Sequence, residues 1–465
     1  MMRWFFSLLF LGLLGAVRAL SIAGSRLLVV LEDAAEREQY SVFLGDLEGR
    51  GFHITTESPK SESLSLFKHG ERAYDHVVLF PGKSKGLGPA LTASLLLDFM
   101  KKEGNILLAL SSERNIATSV QSLLLELDIH VPSDKGALVV DHFNYDSTSA
   151  ADKHDVLLLP FPDAVRPDVK NYFAGNGLIA VPRAVGQTLG NESPLIAPIL
   201  RAPSTAYSYN PKDEADIVED PFAVGTQLNL VSAMQAHNSA RLTVVGSAEM
   251  LQNKWFSEKA TLAGKAVKTA NRDFAEKLSR WTFKESGVLK VGKLVHYLDE
   301  GVSKKINTSV AIPENNPKIY RIKSDVSFAV EISEYDKDHF VPFVPPRGDA
   351  VQLEFSMLSP FYRLNLSPLS QTANSTIFGT SFKTPDQHGI FNFRINYRRP
   401  FLTNIDEKRQ VTVRHFAHDE WPRSWQISGA WVWIAGVWIT VAGWVAFVAV
   451  WLWSAPAEKS AKKTQ

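Results

Sequence analysis

"YDHVVLFPG" (residues 74–82) and "EGNILLALSS" (103–112) are the stretches on which the fold turns. Each is a short, β-branched and aliphatic run closed by turn residues, and reads as a strand. Between them, Pro89 to Glu103 reads as a helix closed by Gly104. Strand, helix, strand at this spacing is a crossover between parallel neighbours. Working outward, "SRLLVVLED" (25–33) is a further strand. "EREQYSVFLGDLEGRG" (36–51) is a helix stopped by Gly49 and Gly51, and "FHITTES" (52–58) is a strand again. "GALVVDHFNYD" (136–146) and "ARLTVVGSAEML" (240–251) continue the texture. The expectation is an α/β, doubly wound parallel sheet over 20–255. A connecting segment with a helix at 271–287 occupies 256–311.

From residue 312 the period changes to two. "IYRIKSDVSFAVEIS", "DAVQLEF", "GIFNFRINYR" and "RQVTVRHF" alternate apolar and polar positions, and "VPFVPPRGD" (341–349) is a turn-rich connection. Strands with one covered face read this way, so 312–420 is expected to be a β-sandwich-type domain.

The ends carry addresses. Residues 1–19, MMRWFFSLLFLGLLGAVRA, join Arg3 to an apolar run and small residues at Val17 and Ala19, the pattern of a cleaved signal peptide. Residues 427–453 contain no charge and are long enough for a transmembrane helix. Trp421, Trp425, Trp451 and Trp453 stand at its two ends, as interfacial aromatic residues do. Lys459, Lys462 and Lys463 follow, so the tail 454–465 is expected to be cytosolic and the chain single-pass type I. Lys462 and Lys463, fourth and third from the end, form a dilysine signal of the kind coat proteins read for retrieval to the endoplasmic reticulum. Such an address specifies residence; membrane lipid is the expected surrounding of the span.

Composition bounds the chemistry. The chain has 465 residues, a net charge of +1 and 45% hydrophobic residues, which gives a globular core and no electrostatic case for nucleic acid. With no cysteine there is no disulfide, thiolate nucleophile or cysteine-bound zinc. Gly175-Asn176-Gly177-Leu178-Ile179-Ala180 formally fits GxGxxA, but it stands away from the first strand and Pro182 interrupts the required helix. "GKSKGLGPAL" lacks the spacing of a phosphate loop, and no GxSxG marks a serine nucleophile. Asp336-Lys337-Asp338 fits the DxD of sugar-nucleotide transferases, yet lies in a polar loop between alternating strands and reads as a surface turn. Asp213, Glu214, Asp216, Glu219 and Asp220 have the chemistry of a calcium site but read better as a solvated acidic loop, and the twelve histidines show no HxxxH or HExxH. No catalytic residue, cofactor or metal is therefore assigned. In the span, Gly429, Gly436 and Gly443 recur every seven residues, a stripe on which helices can pack closely. Four sequons stand at Asn191, Asn307, Asn365 and Asn374; Pro194 and Pro368 follow the first and third, leaving Asn307 and Asn374 as the better acceptors.

These residues also resemble a known family across nearly the whole chain. "YDHVVLFPG", "EGNILLALSS", "VVDHFNYD", "STAYSYNP" and "VSAMQAHNSARLTVVGSAEML" occur in order, followed by "NRDFAEKLSRWTFKESGVLK", "YRIKSDVSFAVEISE", "DAVQLEFSMLSPFYRLNL" and "HGIFNFRINYRRPF". Together they resemble the 48 kDa (beta) subunits of eukaryotic oligosaccharyltransferase. The resemblance implies an amidotransferase-like N-terminal region, β-rich luminal domains, one span and a non-catalytic role. It places transfer in a separate multi-spanning catalytic subunit, whose WWDYG motif has no counterpart in this sequence. Further partners it implies are a ribophorin II-like subunit and a small multi-spanning subunit. The competing readings are a tethered luminal hydrolase or transferase, and a luminal cargo or quality-control receptor.

Overall fold

The structure, a computed structural model, describes residues 20–133, 136–190, 193–211, 220–262, 264–299, 315–418, 420 and 430–454. The signal segment, Asn191, Asn307, Gly429, Lys462 and Lys463 lie outside them, as do most of the acidic run and Trp421 and Trp425. The chain forms two units, 1–413 and 414–465.

The first region is built on a seven-stranded sheet. Its strands are β1 (Arg26–Val30), β2 (His53–Glu57), β3 (His76–Leu79), β4 (Asn105–Ala109), β5 (Ile196–Arg201), β6 (Asn229–Gln235) and β7 (Arg241–Val245). They lie in the order β5-β6-β7-β4-β3-β1-β2. β2, β1, β3, β4 and β7 run parallel, and β6 and β5 complete the sheet antiparallel. The period of two sorts each strand's side chains onto opposite faces. Leu27, Val29, Val78, Leu107 and Ala109 face one core, with helices α1 (Ser41–Gly49) and α4 (Asn271–Thr282). Leu28, Val30, Val77, Leu79, Ile106 and Leu108 face the other, with α2 (Ala93–Lys101) and α3 (Thr118–Glu126). The expected helix at 89–103 divides into a short 3-10 turn at Pro89–Leu91 and α2. Thr92 separates them in an extended conformation, its hydroxyl accepting from the Leu95 N–H.

A hairpin, Val156–Pro160 with Leu178–Pro182, covers part of the α1/α4 core through Leu157, Leu159, Ile179 and Val181. The sequence reading assigned it no element.

The second region contains two five-stranded sheets. One holds β8 (Ser286–Leu298), β10 (Asp325–Asp336), β11 (His339–Pro342), β14 (Ser367–Gln371) and β15 (Thr376–Lys383). The other holds β9 (Ile319–Arg321), β12 (Gln352–Ser356), β13 (Pro360–Asn365), β16 (Gly389–Tyr397) and β17 (Ile405–Arg414). Phenylalanines meet across the layers: Phe328 of β10 stacks on Phe393 of β16 at 5.4 Å, and Phe355 of β12 reaches Phe382 of β15 at 5.2 Å. Within 256–311 the expected helix is present as α4, packed on the first sheet. The same segment also supplies β8, a 13-residue strand that the reading as a connection omitted.

In the second unit, Ala430–Trp453 is one helix of 24 residues. At 1.5 Å per residue it is about 36 Å long, enough to cross a bilayer. It is the one such helix among the described residues; residues 427–429 of the apolar run lie outside them.

Candidate functional site

In open α/β sheets, ligands lie outside the carboxyl ends of the strands. Here that edge holds Glu32 after β1, the loop 81–88 after β3, and Ser111, Ser112 and Arg114 after β4. The Glu32 carboxylate accepts from the Ser84 hydroxyl at 2.6 Å and from the Lys83 and Ser84 N–H groups. The Ser84 hydrogen bond, with those two N–H groups, holds its pKa below the usual carboxylate value. "GKSKGLG" is thus a loop fastened to a carboxylate, the reverse of a phosphate cradle. Arg114 is paired with Glu36 at 2.7 Å. A cavity of about 370 Å³ opens here, lined by Lys85, Ser111, Ser112, Arg114, Asn115 and Gln121 among others. Among the described residues neither serine hydroxyl is hydrogen-bonded to a histidine or carboxylate; Ser111 accepts only from the Glu113 N–H. A serine without a base stays a weak nucleophile.

Two of the motifs weighed in the sequence can be placed: the GxGxxA run, read there as a loop, and the DxD. Gly177, at φ +110°, leads directly into the strand Leu178–Pro182, so the GxGxxA run opens no helix. Asp336 ends β10, and Lys337 and Asp338 form the two-residue turn to β11, with Lys337 at φ +60°. Asp338 faces solvent, hydrogen-bonded to His339, whose contact lowers its pKa. Two aspartates at such a turn do not converge on a metal. Among the described residues, no three histidine or acidic side chains gather as a metal site.

What sequence reasoning missed is a polar and aromatic join within the first unit. Residues 398–404, between β16 and β17, return to α4 and the β6–β7 end of the sheet. Trp281, fully buried on α4, donates from its indole N–H to the Phe401 carbonyl at 2.9 Å and packs edge-on against Phe401 and Phe173. Phe401 holds φ +66°, a conformation a bulky residue adopts only when its surroundings enforce it. Gly287, at φ +66°, lies so close that a Cβ would stand 2.5 Å from the Phe401 carbonyl oxygen. Arg241 of β7, fully buried, donates to the carbonyls of Ser286 at 2.8 Å and Gly287 at 2.7 Å. Burial pushes its pKa down to about 9, leaving it charged at neutral pH.

Two carboxylates complete the join. Lys170 and the Tyr172 hydroxyl each reach Glu334 of β10 at 2.7 Å. Burial first, then the adjacent Glu334, pushes the Tyr172 pKa well up. Arg50 meets Glu285 at 3.1 Å, with Glu285 fully buried. The only periodic signal in this sequence region is α4 itself; the partners come from separations of 45 to 235 residues.

Of the remaining candidates, Asn365 ends β13 and accepts from Gln352 at 2.8 Å. Asn374 lies exposed in the turn between β14 and β15. Gly436 and Gly443 lie on the apolar helix, and a Cβ at either would meet nothing within 4 Å.

Comparison with known proteins matches residues 18–285 to the family model "OST48, N-terminal domain" and residues 305–455 to "OST48 middle domain". The chain is 33% identical over 428 residues to the dolichyl-diphosphooligosaccharide–protein glycosyltransferase subunit wbp1 of Schizosaccharomyces pombe, covering 91% of this chain and 92% of that protein. It is 32% identical over 428 residues to the 48 kDa subunit of the same glycosyltransferase from Caenorhabditis elegans, covering 91% and 89%. Against the Danio rerio 48 kDa subunit it is 32% identical over 414 residues, covering 86% of each. With both family domains matched in order and similarity running through nine-tenths of its length, the chain belongs to the OST48 family of oligosaccharyltransferase subunits.

Proposed function

We propose that this chain is a non-catalytic, accessory subunit of the endoplasmic-reticulum complex that transfers lipid-linked oligosaccharide to Asn-X-Ser/Thr of nascent proteins. The observation that carries this is similarity to glycosyltransferase subunits over 91% of the chain. Its role is to stabilise the complex and to help present donor or acceptor. The catalytic residues belong to a multi-spanning neighbour, and a ribophorin II-like subunit and a small multi-spanning subunit are its other partners. The parallel β2-β1-β3-β4 core with helices on both faces supports a doubly wound, amidotransferase-like ancestry for the first region. We place its boundary after α4 and the β-rich luminal domain from β8 onward, with the helix Ala430–Trp453 spanning the membrane and the C-terminus cytosolic. Gly429, Gly436 and Gly443 are the proposed packing stripe, Lys462 and Lys463 the retrieval signal, and Asn307 and Asn374 the preferred glycan acceptors.

The test is native electrophoresis of the tagged full-length chain after mild solubilisation, together with depletion of the chain from cells. Incorporation into a large complex and reduced sequon occupancy on many secreted glycoproteins are expected. A chain that migrates alone, or whose loss leaves occupancy unchanged, overturns the reading. For the tail, a reporter carrying only the span and residues 454–465 is expected to leave the endoplasmic reticulum when Lys462 and Lys463 become serine.

A further inference from the structure

Two loops of the α/β region bring together a pair of histidines that stand 12 residues apart in sequence. His142 follows the strand Leu138–Val140, and His154 lies just before the strand Val156–Pro160. Their Nδ1 atoms are in direct contact, with the ring centroids 4.7 Å apart and the planes at 84°. The Nε2 of His142 stands 3.0 Å from the Tyr207 hydroxyl, and the Tyr145 ring lies 4.0 Å from that of His154. His142 is exposed and His154 half-buried, so the pair is open to solvent. Among the described residues no third histidine or acidic side chain gathers with them.

The backbone holds both rings where they are. The Asp141 N–H donates to the His154 carbonyl at 3.2 Å, which ties the two loops beside the rings. Asp141 is fully buried, and its carboxylate accepts from the Thr205 hydroxyl, the Asn144 amide and the Phe143 N–H, each at 2.9 Å. His154 closes a turn, its N–H donating to the Ala150 carbonyl at 2.9 Å, with φ +50°. Tyr207 pairs with Val140 in a neighbouring strand, so the third ring belongs to the same frame. When the His142 Nε2–H donates to the Tyr207 hydroxyl, the lone pair of His142 is on Nδ1, the nitrogen that faces His154. Two neutral rings then hold one proton at the contact. Moved to the Nε2 of its own ring, that proton leaves two lone pairs facing one point. Two imidazole nitrogens on a tetrahedral ion stand about 3.3 Å apart, at bonds of about 2.0 Å, which a small outward swing of either ring supplies. Imidazole suits zinc, copper and nickel, whereas calcium and magnesium would demand oxygen ligands.

We propose that His142 and His154 bind one divalent transition cation through their Nδ1 atoms, with water in the remaining coordination positions. Tyr207 is a positioning residue behind His142. The cation clasps the loop that begins at Asp141 to the turn that ends at His154. Copper(II) is expected to bind more tightly than nickel or zinc, the usual order for nitrogen ligands. The site stands wholly within the α/β region and does not depend on the accessory role in glycan transfer.

The absence of cysteine simplifies the experiment, because no thiolate competes for the metal. The full-length chain, purified without a polyhistidine tag and stripped with chelator, is titrated calorimetrically with copper(II) and with zinc. His142→Ala and His154→Ala are each expected to remove the same single binding equivalent, and the double variant no more than either. His69→Ala, in an exposed turn elsewhere, is expected to leave that equivalent in place. Tyr207→Phe keeps both ligands but removes the partner of Nε2, and is expected to weaken the equivalent about tenfold. Unchanged affinity in that variant would make Tyr207 a packing residue and remove it from the proposal. The unmodified chain gives a reading that does not depend on how a variant folds. Copper with ascorbate and peroxide oxidises side chains at the bound metal, and peptide mass spectrometry is expected to find that oxidation concentrated at His142 and His154. The same number of equivalents in both alanine variants as in the parent, or oxidation no greater at His142 and His154 than at His69, means that the rings share only a hydrogen bond and overturns the proposal.

Discussion

The two regions of the first unit solve burial in opposite ways. In the α/β region the central strands are covered on both faces: β4, β6 and β7 are buried at every position, and consecutive residues of β1 enter alternate aliphatic cores. In the β-rich region the strands are covered on one face. β16 alternates buried Phe391, Phe393 and Ile395 with more exposed neighbours, and its core is stacked phenylalanine rather than leucine and valine. The difference teaches that a continuous apolar run reports two covering layers, whereas alternation reports one. The two join through an aromatic cluster bordered by polar groups. Phe401 enters the aromatic cluster of Trp281 and Phe173, and around it Trp281, Arg241 and Glu334 add directed hydrogen bonds to backbone and side chains.

The largest expected effect breaks the join on which the comparison depends. Trp281→Ala removes a fully buried ring and its bond to Phe401. A loss of about 3–5 kcal/mol is expected, with both regions melting together at a lower temperature. Two separate calorimetric transitions, with the β-rich one unmoved, would show that the regions are stable independently. Gly287→Ala is expected to act in the same direction, because its positive φ and the Phe401 carbonyl leave no room for a Cβ.

Next comes the two-faced sheet itself. Val77 and Val78 are adjacent and both fully buried, against different cores. Replacing either with alanine is expected to cost about 2 kcal/mol in urea unfolding of the full chain. If only one of the pair matters, the sheet is covered on one side alone and the comparison fails.

The third test is pH. His76 is fully buried within the α/β region, its Nε2 within 3.1 Å of the Gly24 carbonyl and its Nδ1 beside Asn105. Burial pushes its pKa down to about 3, and burial then Arg409 pushes His296 down to about 4. Above an unfolded value of about 6.5 both states are neutral and the stabilisation is complete. As pH falls below about 6.5, the unfolded chain binds protons that the folded chain refuses. Stability is then expected to fall by about 1.4 kcal/mol per pH unit for each such histidine. Urea midpoints between pH 7 and 5 measure the slope, and His76→Asn is expected to reduce it. An unchanged slope in that variant would mean His76 takes up its proton in the folded chain.

The smallest effect sharpens the one-faced side. Val411 and Thr412 are neighbours on β17, the first buried and the second exposed. Val411→Ala is expected to cost about 2 kcal/mol and Thr412→Ala less than about 0.5. Comparable losses at both positions would mean that the outer face is also covered.

Much of this was legible before any coordinates. Periodicity alone separated "HVVL" and "NILLA" from "IFNFRINY", and so separated the two regions, because burial on two faces and on one face leave different repeats. The uncharged run before Trp453 declared a span by length, and the missing cysteines and catalytic spacings removed whole classes of chemistry. The strand 286–298 was not legible: "SGVLKVGKLVHYL" mixes lysines and glycines with its apolar residues, and its register shifts between Val291 and Leu294, which breaks the alternation. Nor was the join. That Arg241 would meet Gly287, Lys170 Glu334, and Trp281 Phe401 depends on loops closed over 46, 164 and 120 residues. Local pattern records which face of an element is dry. Which distant polar groups share that dryness is decided only when the layers close, because a buried donor must then find whatever acceptor the packing brings.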